Sequence, residues 1–318
     1  MSQTGQMISK KEFTKLHSEI APFIHRTPVM RSRLLDIEAQ TQIYFKCENF
    51  QKMGAFKMRG ATSAILALSD DQRAKGVVTH SSGNFAQAVS LAAKSLGIPA
   101  FIVMPSSAPQ VKKEAVKTYG GQITECEPNI KARETAAKKI QKKTGATFLH
   151  PSNDLQVIYG QGTAAKEFLE DFPELDLMIT PVGGGGLLAG TSLAVDFYSK
   201  NCKTIGAEPF EVDDAYRSLK SGKIEFNETT NTIADGLKTH LGDKNFPIIK
   251  DKVSEIIRVK EDEIILAMQL IWERLKIIVE PSSAVAFAGV LRAKEKFRGK
   301  RVGIIISGGN VDLRNLPF

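Results

Sequence analysis

Short β-branched runs alternate along this chain with longer amphipathic segments. The stretches 43–47, 77–80, 101–104, 177–182, 204–207 and 302–306 are apolar, of strand length, and bounded by Gly, Pro or Ser. They predict buried strands. Helical periodicity fills the gaps. One helix is predicted over 9–24, opened by Ser9 and Glu12 as a capping box. Others are predicted over 84–96, 112–119 and 130–143, stopped by Gly97, Gly120-Gly121 and Gly145, and a long one over 261–279 ends before Pro281. Regular βα alternation predicts an α/β fold of parallel-rich twisted sheets flanked by helices. A Lys/Ala-rich run over 76–150 reads as a small inserted α/β domain. That leaves 1–75 and 151–318 as a larger domain.

Composition narrows the class without naming a function. The 318 residues are 42% hydrophobic and 25% charged, which excludes a disordered regulator or a fibre. No stretch reads as a membrane span, and the start MSQTGQMISKKEF lacks an apolar signal region. Cys47, Cys126 and Cys202 are too far apart for a metal motif and read as thiols in a reducing cytoplasm. The net charge of +8 raises the question of a nucleic-acid partner. Its lysines, however, fall in pairs such as Lys112–Lys113 and Lys138–Lys139, mixed with Glu114 and Glu134. That is the pattern of solvated helix faces, so neither a nucleic acid nor a membrane is expected as partner.

Ligands of open α/β sheets bind where strand carboxyl ends meet helix N-termini, and four such turns are unusual. Gln51 to Ala61 puts Lys57 near a helix start beside Phe56, where burial and the helix dipole would lower the pKa of an amine. Such a lysine suits imine formation with an aldehyde. His80-Ser81-Ser82-Gly83-Asn84 offers hydroxyls and N–H groups to a carboxylate or phosphate, beyond what a helix cap needs. Gly183-Gly184-Gly185-Gly186 follows a predicted strand and precedes a helix, and ordering four glycines is costly unless something approaches their backbone closely. Ser307-Gly308-Gly309-Asn310 puts a hydroxyl at the tip of the last strand.

The tetraglycine turn has a rival reading, and one further cluster suggests a metal. Gly184-x-Gly186-x-x-Ala189 with Glu208 at the end of the next strand fits a dinucleotide fingerprint, so an NAD-dependent oxidoreductase is a rival. Glu208, Asp213 and Asp214 also supply oxygen ligands in one loop, suited to Mg²⁺ or Ca²⁺.

Taken together, the turns resemble the fold-type II pyridoxal-phosphate enzymes (tryptophan synthase β-like), and within them the serine/threonine dehydratase and serine racemase family. Gly54-Ala55-Phe56-Lys57-Met58-Arg59-Gly60, Ser81-Ser82-Gly83-Asn84 and the tetraglycine carry the resemblance. Gly160-Gln161-Gly162-Thr163 and Ile233-Ala234-Asp235-Gly236 extend it along nearly the whole chain. It implies that Lys57 binds pyridoxal 5'-phosphate as an imine, that Phe56 lies against the ring, and that Asn84 bonds the ring's 3′-oxygen. Gly183, Gly184, Gly185 and Gly186 would hold the phosphate, and Ser307 would meet the ring nitrogen.

The substrate carboxylate would fall to Ser81, Ser82, Gly83 and Asn84. The implied reaction dehydrates L-serine or L-threonine to a keto acid and ammonia. Ser82, opposite Lys57, would be a second acid/base for serine racemisation; 3-hydroxyaspartate dehydratases share these features. Glu208, Asp214 and the Val212 carbonyl fall where such racemases hold Mg²⁺, a site that Ca²⁺ or Mn²⁺ would also suit. Lys52, Gln87, Lys112 and Tyr119 match positions that contact ATP as an effector. A homodimer is implied. Ala55 and Phe85 depart from the usual Ser and His of the family and bear on substrate range.

Overall fold

A computed structural model describes residues 7–318. Its ten strands are β1 (Val29–Met30), β2 (Gln42–Cys47), β3 (Val77–His80), β4 (Ala100–Pro105), β5 (Gln122–Cys126), β6 (Thr147–Phe148), β7 (Leu177–Pro181), β8 (Lys203–Pro209), β9 (Val253–Val259) and β10 (Arg301–Ile306). Six of them form one sheet in the order β1-β2-β10-β7-β8-β9, and four form another in the order β5-β4-β3-β6. Every pairing is parallel except β1 with β2. β2, β7, β8 and β10 are almost continuously buried, as strands covered by helices on both faces must be. All strands of the second sheet lie between residues 77 and 148.

Parallel pairing sets the site's location. Ile306 stands beside Cys47, and Pro181 beside Ala207, so the turns that follow these strands gather at one sheet edge. The Ser307 turn is then fixed to the segment before Lys57. Phe56 N donates to Ser307 O at 2.9 Å, and Gly309 N donates to Gly54 O at 2.9 Å.

The predicted strands are all present, but two predicted helices end earlier than expected and other elements were not foreseen. The first helix keeps its Ser9–Glu12 capping box yet ends at Ile20, because Pro22 can only be accommodated in the 3₁₀ turn Ala21–Phe23. The helix expected over 261–279 stops at Leu275, where Lys276 turns left-handed with φ +60° and the chain runs extended to Pro281. The strands β5 and β9 and the helix Leu155–Asp171 escaped the pattern. β5 is mostly exposed, and the helix is buried on nearly all sides, so neither shows a clean period.

Inside the protein lies a network of four buried charges. Arg59 is fully buried; it makes a fork to Glu48 (Nε 2.7 Å, Nη2 2.8 Å) and reaches Glu167 with both terminal nitrogens at 2.8 Å. Lys46 donates to Glu167 at 2.8 Å and to Thr27 O at 2.8 Å. The charges are balanced, and the network joins β2, the turn after it, the helix Lys57–Leu66 and the helix Leu155–Asp171. Removing one partner of such a set leaves an uncompensated buried charge. Arg59→Met is therefore expected to lower unfolding free energy by about 3–5 kcal/mol in denaturant titrations. Arg59→Lys should recover only part of this, because it lacks the planar fork; wild-type stability in Arg59→Met would refute the assignment.

Candidate active site

Lys57 is the first residue of the helix Lys57–Leu66, whose start no side chain caps. The amine is half-buried, 4.9 Å from the ring centre of Phe56 and 5.7 Å from that of Phe85, and it donates to Pro151 O at 2.8 Å. Burial pushes it down to about 8, against the attraction of the Glu280 carboxylate. This is the lowered-pKa lysine anticipated from the sequence.

The turn after β3 carries Ser81, Ser82 and Gly83, all partly open, with Gly83 N donating to Ser81 Oγ at 3.3 Å. Asn84 then starts a helix, and its amide donates to both Glu280 oxygens at 3.0 and 3.1 Å. Asn310 donates to Asn84 Oδ1 at 2.9 Å and to Met53 O at 2.8 Å, which fixes Asn84's orientation. Ser307 is buried at the end of β10, 2.9 Å from the Ser283 hydroxyl.

The tetraglycine leads into the helix Gly186–Tyr198, again without a side-chain cap. Gly185 has φ +79°, a conformation that disfavours other residues. A Cβ on Gly184 would lie 2.3 Å from Ser152 Oγ, so that approach requires glycine. An uncapped helix start next to bare backbone is a natural seat for a phosphate.

Glu208 and Asp214 are each 1% exposed, and the charge of Asp214 is felt at Glu208. Glu208 Oε1 accepts from Tyr216 N, while Oε2 is buried without a partner. Asp214 accepts from Asn227 at 2.7 Å and from Leu241 N at 3.1 Å. Burial and the neighbouring Asp214 push Glu208 well above the usual carboxylate range. Burial raises Asp214 to about 6. Val212 is buried between them in the chain, at the end of the turn Phe210–Val212. Among the described residues no group of three or more His, Cys, Asp or Glu side chains is arranged to hold a metal. Any cation here would have to rely on two carboxylates plus backbone oxygen.

The four positions suggested for a nucleotide are less coherent. Lys112 is paired with Asp235 at 2.6 Å, and Gln87 is buried on the helix behind Asn84. Lys52 and Tyr119 are partly buried on separate elements, and no hydrogen bond joins the four.

A family model described as pyridoxal-phosphate dependent enzyme matches residues 20–308. The chain belongs to the fold-type II pyridoxal-phosphate enzymes. Within them it falls in the serine racemase and dehydratase family. It is 51% identical to a beta-hydroxyaspartate dehydratase of Paracoccus denitrificans, over 95% of this chain and 96% of the relative. It is 48% identical to a serine racemase of Dictyostelium discoideum, over 97% of each. The structure of maize serine racemase superposes with a TM-score of 0.95 at 46% identity, covering 97% of this chain and 95% of that one.

The residues present fit pyridoxal phosphate: an amine that readily loses its proton, an adjacent aromatic ring, and an uncapped glycine cradle. The family assignment displaces the dinucleotide reading, and Glu208 is buried in the interior. Sequence reasoning missed Glu280, which burial and Asp235 push up to about 7, opposed by its bonds from Asn84. It also missed His150, whose Nδ1 accepts from Asn153 N at 2.8 Å and Ser152 N at 3.2 Å. Burial, with the fields of His80 and Lys57, pushes this imidazole down to about 4, so it stays neutral beside the amine. A carboxylate before Pro281 and a histidine before Pro151 carried no spacing that marks them as site residues.

Proposed function

We propose that this chain is a pyridoxal-phosphate-dependent ammonia-lyase. It would dehydrate short β-hydroxy amino acids (L-serine, L-threonine and 3-hydroxyaspartate) to a 2-keto acid and ammonia. Racemisation of serine would be a second outcome at the same site. The observation that carries this reading is the Lys57 amine, lowered to about 8 and set between two aromatic rings. The similarity to a beta-hydroxyaspartate dehydratase and a serine racemase supports the substrate class.

Gly183 to Gly186 would take the cofactor phosphate on backbone N–H groups, Phe56 would lie against the ring, Asn84 would bond its 3′-oxygen, and Ser307 would face its nitrogen. Bound there, pyridoxal phosphate supplies an electron sink for the charge left at the substrate α-carbon. Ser81 to Asn84 would receive the substrate carboxylate. Lys57 Nζ would take the α-proton on one face, and Ser82 Oγ would hold a proton on the other. A hydroxyl facing the ring nitrogen stabilises positive charge there less than a carboxylate would, which favours prompt loss of the β-hydroxyl over a long-lived carbanion. Burial leaves His150 uncharged and raises Glu280 to about 7, so neither puts a second cation beside Lys57.

Glu208, Asp214 and the Val212 carbonyl are read as seats for a divalent cation. The unpartnered Glu208 oxygen and the repulsion within the pair support this. Asp214 is raised from 3.8 to about 6, so the cost of charging it is absent below the ordinary value and complete above about 6. A cation would offset that cost where it exists.

Two experiments test these assignments. Keto-acid assays on all three substrates, and a D-serine assay on L-serine, should show product in wild type and none in Lys57→Ala. In Ser82→Ala, D-serine formation should vanish while elimination from L-serine persists. Equal loss of both in Ser82→Ala would remove its proton role, and turnover by Lys57→Ala would overturn the whole reading. In thermal melts, Mg²⁺, Ca²⁺ or Mn²⁺ should raise Tm clearly above the Asp214 transition and little below it. The same rise in a Glu208→Gln/Asp214→Asn variant would place the cation elsewhere.

A further inference from the structure

Asn245 is fully buried and lies outside the set of residues that would touch cofactor or substrate. Its side-chain amide is nonetheless joined to both sides of the site. Nδ2 donates to Gly184 O at 2.8 Å and to Ser152 O at 3.0 Å, while Oδ1 accepts from Gly242 N at 3.0 Å. One side chain thus clamps the glycine cradle to the segment 150–154. That segment contains Pro151, whose carbonyl receives the Lys57 amine at 2.8 Å and the Gln161 amide at 3.1 Å.

A second clamp lies beside the first. Lys244 N donates to Asn153 Oδ1 at 2.8 Å, and Asn153 Nδ2 donates to Asp243 Oδ1 at 2.7 Å. The loop 241–245 is therefore pinned against 150–154 along its length. At its other end, Leu241 N donates to Asp214 Oδ2 at 3.1 Å. Five residues of chain thus run from the carboxylate pair to the phosphate cradle with a hydrogen bond at each end.

Only an amide suits position 245. Two carbonyl oxygens need donors there and one N–H needs an acceptor, and Asn supplies both. A carboxylate would set its oxygens against the two carbonyls, and alanine would leave all three groups without partners in a buried place.

We propose that Asn245 is a positioning residue through which cation occupancy at Glu208–Asp214 is felt at the glycine cradle and at Lys57. The inference rests on the cofactor and cation assignments above. A cation drawn in by Asp214 orients the carboxylate that holds Leu241 N, and the loop passes that restraint to Gly184 and Ser152 through Asn245. Coupling of this kind is reciprocal in affinity: bound cation tightens cofactor binding, and bound cofactor tightens cation binding by the same factor.

The test follows loss of the cofactor's visible absorbance from holoenzyme diluted into a cofactor trap, with and without Mg²⁺. Wild type should lose cofactor more slowly with Mg²⁺. Asn245→Ala should lose it about tenfold faster than wild type, the scale of a buried carbonyl deprived of its donor. Its rates with and without Mg²⁺ should be equal, although Mg²⁺ still raises its Tm. Its kcat should fall more than its KM rises, which a merely structural weakening would not produce. Should Asn245→Ala fail to fold, Asn153→Ala at the partly exposed end of the same clamp decides. It is expected to shrink the Mg²⁺ effect, and an unchanged effect overturns the proposal. A wild type indifferent to Mg²⁺, or an Asn245→Ala that keeps the wild-type ratio, overturns it too. A wild type that never takes up the cofactor refutes the functional reading itself, a result readily told apart from these.

Discussion

Arg59 sits two residues beyond Lys57, and the buried fork it makes to Glu48 and Glu167 constrains the rest of the site. Burying four charges costs several kcal/mol per ion unless each is paired and hydrogen-bonded. Here each is: Lys46 completes Glu167, Thr27 donates to Glu48, and His17 contributes at 3.1 Å to Glu167, which is held well below the usual carboxylate range. The network is satisfied in one arrangement of β2, the helix Lys57–Leu66 and the helix Leu155–Asp171. Sliding the first of these helices by one residue would strand an ion in the core. The position of the Lys57 amine is thus set by electrostatics several ångströms behind it rather than by contacts of its own flexible stem.

From that anchor the site is assembled by backbone. The last strand lies between β2 and β7, so Ser307 and the segment before Lys57 meet in a short antiparallel bridge between Ala55 and Gly308. Pro151 O accepts from the amine, and Asn245 ties the neighbouring Ser152 to the tetraglycine at Gly184. Charge is kept scarce at this point. The glycine turn is neutral backbone, burial pushes His150 down to about 4, and burial with Asp235 raises Glu280 to about 7. Lys57 therefore has no strong partner that would hold its proton, and desolvation governs its pKa.

The parts of this arrangement that were legible in the sequence are those carried by residue type at close spacing. Gly-Ala-Phe-Lys, Ser-Ser-Gly-Asn and the tetraglycine each mark a turn into a helix, Ser-Gly-Gly-Asn marks the turn after the last strand, which no helix follows, and the α/β alternation follows from apolar runs and caps. The parts that were not legible depend on distant pairing. Arg59 reads as one more cation after a lysine, and Glu167 and Asn245 fall in ordinary helix-like text. Only folding brings them within 3 Å of partners more than 60 residues away. The +8 net charge proved equally indirect. Lys46 and Arg59 are internal structural ions, many other lysines pair on the surface, and Lys57 is set apart by its half-buried amine beside Phe56 and Phe85.

The central claim is that burial at this helix start makes Lys57 a ready nucleophile toward the cofactor aldehyde. The most direct measurement is the rate at which cofactor-free protein captures pyridoxal phosphate across a pH series, followed by visible absorbance. The rate should climb as the amine loses its proton and level off with a midpoint near pH 8. A midpoint near the ordinary lysine value of 10.5, or undiminished capture by Lys57→Ala, would contradict the account.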